Sequence, residues 1–255
     1  MVFCPFVSPG LVRGATIMLS QACLTSGGLS EDPMTRTATA IADVTFVLLA
    51  LALAGRLVWC VVSLATAPGM MLFLFGVPAG FFAADVASGL AHWLCDTYFQ
   101  PATPLIGPTI ITPFREHHVD PAAIGRHGMF ERNGNNCLAA LPLLAVGAFW
   151  PWDLARAGHA LAIGVLAAAS LTLCFTNQIH AWAHTSSVPR VVRWLQHCGI
   201  LLAPERHARH HDGVHNCAYA VVSGWSNRWL DRALIRMEAL LTNVGVRPRA
   251  ERAMP

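Results

Sequence analysis

The stretch that decides the fold is VTFVLLALALAGRLVWCVVSL, Val44 to Leu64, a run interrupted by a single charged residue, Arg56. A helix needs roughly 20 apolar residues to cross about 30 Å of hydrocarbon, so this run is long enough to span a membrane. Working outward, a breaker at Ala67-Pro68-Gly69 separates it from a second apolar run, 69–94, and the two read as a helical hairpin. Two further runs follow: 137–152, which is short and holds Pro142, and 158–178, which continues into a polar helical end. The expected architecture is all-α and integral to a membrane, with about four transmembrane helices near 44–64, 69–94, 137–152 and 158–178. Residues 1–40 are weakly patterned and read as an N-terminal arm, leaving 41–255 as the working domain. A charge inside a span is costly unless its long stem carries it to the interface or into the bundle, and Arg56 is expected to do one or the other.

Composition agrees with hydropathy. Of the 255 residues, 55% are hydrophobic and 12% charged, against about 25% charged in a soluble domain. Disorder, a coiled coil and a secreted disulfide scaffold are excluded together. The eight cysteines form no CxxC pair and read as apolar filler. All seventeen basic residues are arginine, and they are unevenly placed: the segment after His184 holds ten arginines against five acids. The turn near Pro68 has no arginine and the turn near Pro151 only Arg156, whereas His92 to Asn136 holds Arg115, Arg126 and Arg132. The positive-inside rule then puts 95–136 and 179–255 together in a cytoplasmic cap. No nucleic-acid partner is expected.

Eleven of the twelve histidines gather toward that same side. They lie in two blocks, His92 to His127 and His180 to His215, and His159 stands apart. Asp85, Gly89, His92 and Asp96 make one helical stripe at the end of the second span, and Asn177, His180 and His184 repeat it at the end of the fourth. His207, His210 and His211 form HxxHH, with His215 beyond, while Pro113 and Pro121 bracket Arg115, Glu116, His117 and His118. Clustered imidazoles repel once protonated, and polar groups at a lipid boundary are costly unless paired or functional; a metal removes both difficulties. Imidazole suits zinc, copper, iron and nickel, and the histidines outnumber the three or four ligands of one zinc, so two metals are implied. No glutamate is followed by histidine three residues on, and HExxH is absent, which excludes the ferritin-like di-iron pattern and the zinc-protease helix. His159 and His197 read as ordinary surface residues.

The runs ADVASGLAHWLCDT (Ala84 to Thr97), PFREHHVDPAAIGRHGMFERNGNN (Pro113 to Asn136), TNQIHAWAH (Thr176 to His184) and PERHARHH (Pro204 to His211), then His215 and SGW (Ser223 to Trp225), occur in the order found in the plasmanylethanolamine desaturase family, the Kua or CarF type. The chain resembles that family from about Ala84 onward. The resemblance implies an O2-dependent di-iron desaturase of plasmalogen biosynthesis, converting the 1-O-alkyl chain of an ether phospholipid to a 1-alkenyl vinyl ether. Its implied ligands are His92, His117, His118, His127, His180, His184, His207, His210, His211 and His215, with Asp96, Asn177 and Asp85 as supporting groups that fix tautomers, hold water or join a polar path. Arg206 departs from the family, whose members often carry histidine there.

Carrying no flavin, nicotinamide or haem signature, the chain is expected to need an external electron donor of ferredoxin or cytochrome type. The expected location is a bacterial cytoplasmic membrane, with the active site on the cytoplasmic side. Arg115, Arg126, Arg132 and Arg209 are candidates for the lipid phosphate, and Trp93, Trp182, Trp225 and Trp229 for an interfacial belt. Two other readings stay open: an acyl-lipid desaturase or a lipid or carotenoid hydroxylase, and, in a different class, a metal or haem transporter.

Overall fold

Helix α1, Pro33–Ser63, and helix α2, Ala67–Thr97, form the expected hairpin in a computed structural model that describes residues 33–212 and 215–249. The arm expected over 1–40 lies almost wholly outside those residues. Thr66 starts α2 by accepting the Gly69 amide on its side-chain oxygen at 3.1 Å, with Pro68 in the first turn, where its missing N–H costs nothing. At 31 residues, α2 is about 46 Å long. That exceeds the ~30 Å of a hydrocarbon core, so a third of the helix is left over to carry polar groups.

A π-helical turn, Gly107–Ile111, leads into α3, Thr112–Val119, and the short α4, Ala123–Arg126. Two long helices follow, α5, Met129–Phe149, and α6, Ala157–Cys174, and then α7, Thr176–Ala183, α8, Arg190–His197, α9, Pro204–His211, and α10, Asn227–Asn243. No strand occurs among the described residues. Among the described residues three helices, α1, α2 and α6, are long and apolar enough to cross a membrane. The run expected at 137–152 is the second half of α5, whose first turns, Glu131 to Asn136, are polar.

One apolar core joins the long helices from Ala42 onward. Val47, Ala50 and Leu57 of α1 meet Cys137, Ala140 and Leu144 of α5 and Ala160, Ile163 and Ala167 of α6, with Leu72 and Phe73 of α2 against them. Helices α2 and α6 touch backbone to backbone. A Cβ on Gly80 would lie 2.1 Å from the Val165 oxygen, and one on Gly164 2.1 Å from that of Phe73. Such contacts between small residues replace the hydrophobic drive that is missing in lipid. Arg56 sits on the outer face with its guanidinium 4.9 Å over the Phe149 ring, at the bundle end away from His92.

Beyond α9, the chain from Cys217 to Ser223 is buried throughout and runs along the last turns of α2. Gly89 makes room for it, since a Cβ there would meet Leu230 at 2.5 Å and Ala220 at 3.2 Å. Asp85, fully buried, anchors its far end: one carboxylate oxygen accepts the Ser223 and Gly224 amides at 2.7 and 2.9 Å, and the other the Ser226 amide and hydroxyl at 3.0 and 2.7 Å. A buried carboxylate is stable only when its lone pairs are satisfied in this way.

Candidate metal centre

Four polar helix ends converge on one place. His92 and Asp96 come from α2, His117 and His118 from α3, His180 from α7 with His184 at its C-terminal cap, and His207, His210 and His211 from α9. Their ligand atoms sort into two groups, each within 4.8 Å internally: His117, His180, His184, His207 and His211 in one, and His92, Asp96, His118 and His210 in the other. Successive helical residues point about 100° apart, so the adjacent pairs His117-His118 and His210-His211 each divide between the groups. The groups lie side by side, the His207 and His210 rings being stacked at 5.6 Å.

In the first group imidazole faces imidazole. The Nε2 atoms of His180 and His207 are 2.7 Å apart, those of His207 and His211 3.1 Å, and those of His180 and His184 3.2 Å. Burial, reinforced by neighbouring imidazoles, drives His117, His180 and His207 well below the usual histidine range. Burial likewise lowers His184 to about 4 and His211 to about 3. At neutral pH the rings are therefore uncharged, the form in which imidazole binds a metal.

The second group contains a carboxylate. Asp96 places Oδ2 3.3 Å from the Nε2 of both His92 and His210, and Oδ1 3.7 Å from that of His118. His118 Nε2 is also 3.1 Å from His210 Nε2. Two tautomers are set by backbone. His92 Nδ1 donates to the Tyr219 carbonyl at 3.0 Å and His210 Nδ1 to the Cys217 carbonyl at 2.8 Å. A carbonyl can only accept, so each ring carries its proton on Nδ1 and turns the Nε2 lone pair inward.

A metal fits these donors. The Nε2 atoms of His92 and His117 and both oxygens of Asp96 are buried with no hydrogen-bond partner of their own. Such orphans are costly, and a cation at each group would satisfy them. Imidazole with one carboxylate suits iron or zinc better than the hard cations magnesium and calcium.

The other expected residues are placed differently. His127 lies apart from both groups, its Nδ1 2.8 Å from Glu131 on a half-exposed surface. His215 stacks on His118 at 4.2 Å and flanks the second group. Asn177 donates to the Arg132 carbonyl at 3.0 Å, while Asp85 is turned to the Ser223–Ser226 segment and not to an imidazole. Asp96 is nearer than a supporting role implies, since its oxygens are among the converging atoms.

Two of the four arginines named for phosphate are taken up by backbone. Arg115 donates to the carbonyls of Cys95, Asp96 and Phe99 at the end of α2, and Arg132 to those of Ile124, Gly125 and His127. Arg126 pairs with Asp120 at 2.6 Å on the surface, and Arg209 is exposed. Arg206 turns away from the histidines to the Ser223 carbonyl, 2.8 Å away. Trp93 is buried against Tyr98 and Leu230, so it leaves the belt, whereas Trp225 and Trp229 are exposed beside Phe81 and Phe82 of α2. Sequence reasoning missed the carbonyls of Cys217 and Tyr219, which have no side-chain signature, and Arg249, which also donates to the Asp96 carbonyl.

The family of lipid desaturase domains matches residues 81–251, the part of the chain that holds every one of these converging residues. The chain belongs to the lipid desaturase family. Within it, this desaturase-family chain is 38% identical over 196 residues to a plasmanylethanolamine desaturase of Myxococcus xanthus, covering 77% of the chain and 67% of that relative. It is 36% identical over 197 residues to plasmanylethanolamine desaturase 1 of Mus musculus, covering 71% and 69%. A third relative, the chloroplastic fatty acid desaturase 4 of Arabidopsis thaliana, is 36% identical over 178 residues, covering 68% and 53%. No solved structure matches. Membership makes the chain a membrane oxidoreductase acting on lipid, and the plasmanylethanolamine desaturase resemblance read from the motifs holds.

Proposed function

We propose that this protein is an O2-dependent di-iron desaturase that forms the 1-alkenyl double bond of a plasmalogen from a 1-alkyl ether phospholipid. The observation that carries the reading is the pair of converging ligand groups at the end of the long helices, one all-imidazole and one with a carboxylate. His117, His180, His184, His207 and His211 would hold one iron, and His92, Asp96, His118 and His210 the other. His215, Asn177 and Arg115 would act as their support, and Asp85 as the anchor of the segment that orients His92 and His210. Iron held there supplies the activation of O2 and the removal of hydrogen from a saturated chain, which no side chain can perform. Overall, two hydrogens leave adjacent carbons as the double bond forms. O2 takes up those hydrogens with two electrons from an external ferredoxin or cytochrome and two protons from solvent, and ends as two waters.

The protein's own part is to place and to exclude. Helix α2 outlasts the hydrocarbon by about ten residues, which lifts His92 and Asp96 to headgroup level, where the first carbons of an ether-linked chain lie. Trp225 and Trp229, exposed against Phe81 and Phe82, mark the boundary. Arg209 is exposed on the helix that carries His207, His210 and His211, whereas Arg206 there is held by the Gly199 and Ser223 carbonyls, so Arg209 is the candidate for the lipid phosphate. The neutral, buried imidazoles keep protons and bulk water from the reacting carbons. The four long helices sharing one core support four spans, with the cap in the cytoplasm by the arginine count.

The resemblance to the chloroplastic fatty acid desaturase keeps acyl-lipid desaturation as a second reading. A transporter would place ligands along a path through the bilayer, whereas these gather at helix ends. The deciding experiment gives purified, iron-loaded protein an electron donor, O2 and either 1-alkyl or 1-acyl phospholipid. Acid-labile 1-alkenyl product from the ether lipid is expected; a new double bond in the acyl lipid alone overturns the substrate, and turnover without iron overturns the cofactor.

A further inference from the structure

Two peptide units in the buried segment after α9 are gripped at both ends. In the unit joining Cys217 and Ala218, the carbonyl accepts His210 Nδ1 at 2.8 Å and the amide donates to Asp231 Oδ1 at 3.0 Å. In the unit joining Tyr219 and Ala220, the carbonyl accepts His92 Nδ1 at 3.0 Å and the amide donates to Asn227 Oδ1 at 2.8 Å, while Asn227 Nδ2 returns to the Ala220 carbonyl at 3.4 Å. Asn227 and Asp231 are four residues apart on α10 and so share one face. Ala218, at φ +58°, sets the turn between the two units, a conformation that a non-glycine residue adopts only when its surroundings fix it.

We infer that Asp231 and Asn227 are positioning residues for the second ligand group, acting on His210 and His92 through these two peptide units. A trans peptide is a rigid plane, so holding its amide fixes the direction of its carbonyl. The carbonyl in turn fixes the ring rotation and the tautomer that leaves Nε2 free. An acceptor on the amide also polarises the unit and strengthens the carbonyl as a partner for the imidazole N–H. Asp231 does this with charge: burial pushes its carboxyl up to about 6, which leaves it ionised at neutral pH. Both carbonyls are paired with rings of the second group, His92 and His210. The action of Asp231 and Asn227 is therefore selective for one metal.

The inference rests on the two-metal reading, and its test separates the two. Full-length protein in detergent is loaded with ferrous iron alone, and iron content, iron affinity and the Mössbauer spectrum are compared for wild type, Asp231→Ala, Asn227→Ala and Asp231→Asn. Wild type should bind about two irons in unlike sites. Asp231→Ala and Asn227→Ala should weaken one site by about 10- to 100-fold, removing one spectral component and sparing the other. Asp231→Asn, which keeps an oxygen to accept the Ala218 amide, should restore most of that site. Wild-type iron content and spectrum in both alanine variants overturn the inference while leaving the two-metal reading intact. Equal loss of both irons together with a fall in thermal stability shows a merely structural role and also overturns it. A wild type that binds no iron overturns the two-metal reading and the inference with it.

Discussion

The two ligand groups are made largely of one residue type and lie within a ring's width of each other, yet they are held in opposite ways. The first is braced by packing: its five imidazoles project from α3, α7 and α9 into one another. The second is braced by hydrogen bonds, two of its rings being tied to backbone carbonyls and its carboxylate set among three imidazoles. In charge, the first offers neutral donors and the second adds one negative charge, so a dication is neutralised unequally at the two places. The contrast teaches that equal-looking histidine motifs can build unequal sites, through what stands behind the rings.

The hardest blow to that comparison is loss of a ligand. His184→Ala and His210→Ala are each expected to cut turnover by about 100-fold or more, but His184→Ala should empty the first site and His210→Ala the second; iron content and desaturation assays measure both, and full turnover in either variant removes that residue from the ligand set. Asp96→Asn keeps the shape and removes the charge, so the second site should lose iron affinity by about 10-fold or more while the first retains it; equal affinity at both sites would erase the charge difference between them.

Acid should act through the imidazoles. His184, His211 and His215 are lowered by burial to about 4, 3 and 4, below their unfolded value, so as pH falls from 6.5 toward 4 the unfolded chain binds more protons than the folded one. Stability of the metal-free protein is then present above pH 6.5 and lost through that window, which thermal unfolding across a pH series measures; bound iron should narrow the loss. The smallest effect is expected of His159→Ala. That ring lies against Trp152 and accepts the Asp153 amide at 3.1 Å, half-buried at the bundle end away from the site, and activity should stay within about 2-fold of wild type since a surface substitution remote from the site shifts stability by only ~0.5 kcal/mol.

Much of this was legible in the sequence, for identifiable reasons. The stripe of His92 and Asp96 and the HxxHH run show because helical periodicity puts them on one face, and hydropathy alone marks α1, α2 and α6. The sorting of histidines into two groups could not be read, because the direction of His117 against His118 depends on how α3 meets α7 and α9. His127 illustrates the limit: it follows the pattern in spacing, yet in the structure it faces Glu131 on the surface. Arg115 and Arg132 read as free cations because a carbonyl that will bind a guanidinium leaves no mark in the chain. The segment from Cys217 to Ser223 was opaque for the same reason, its work being done by backbone.

That segment has a consequence for how the protein comes to be assembled. Tyr219 meets His92 across 127 residues, and Ser223 meets Asp85 across 138. Contacts that close such long loops form after local ones. The helical hairpin can thus form before the carbonyls that aim His92 and His210 arrive, so the ring orientation of these two histidines is among the last features of the fold to be set.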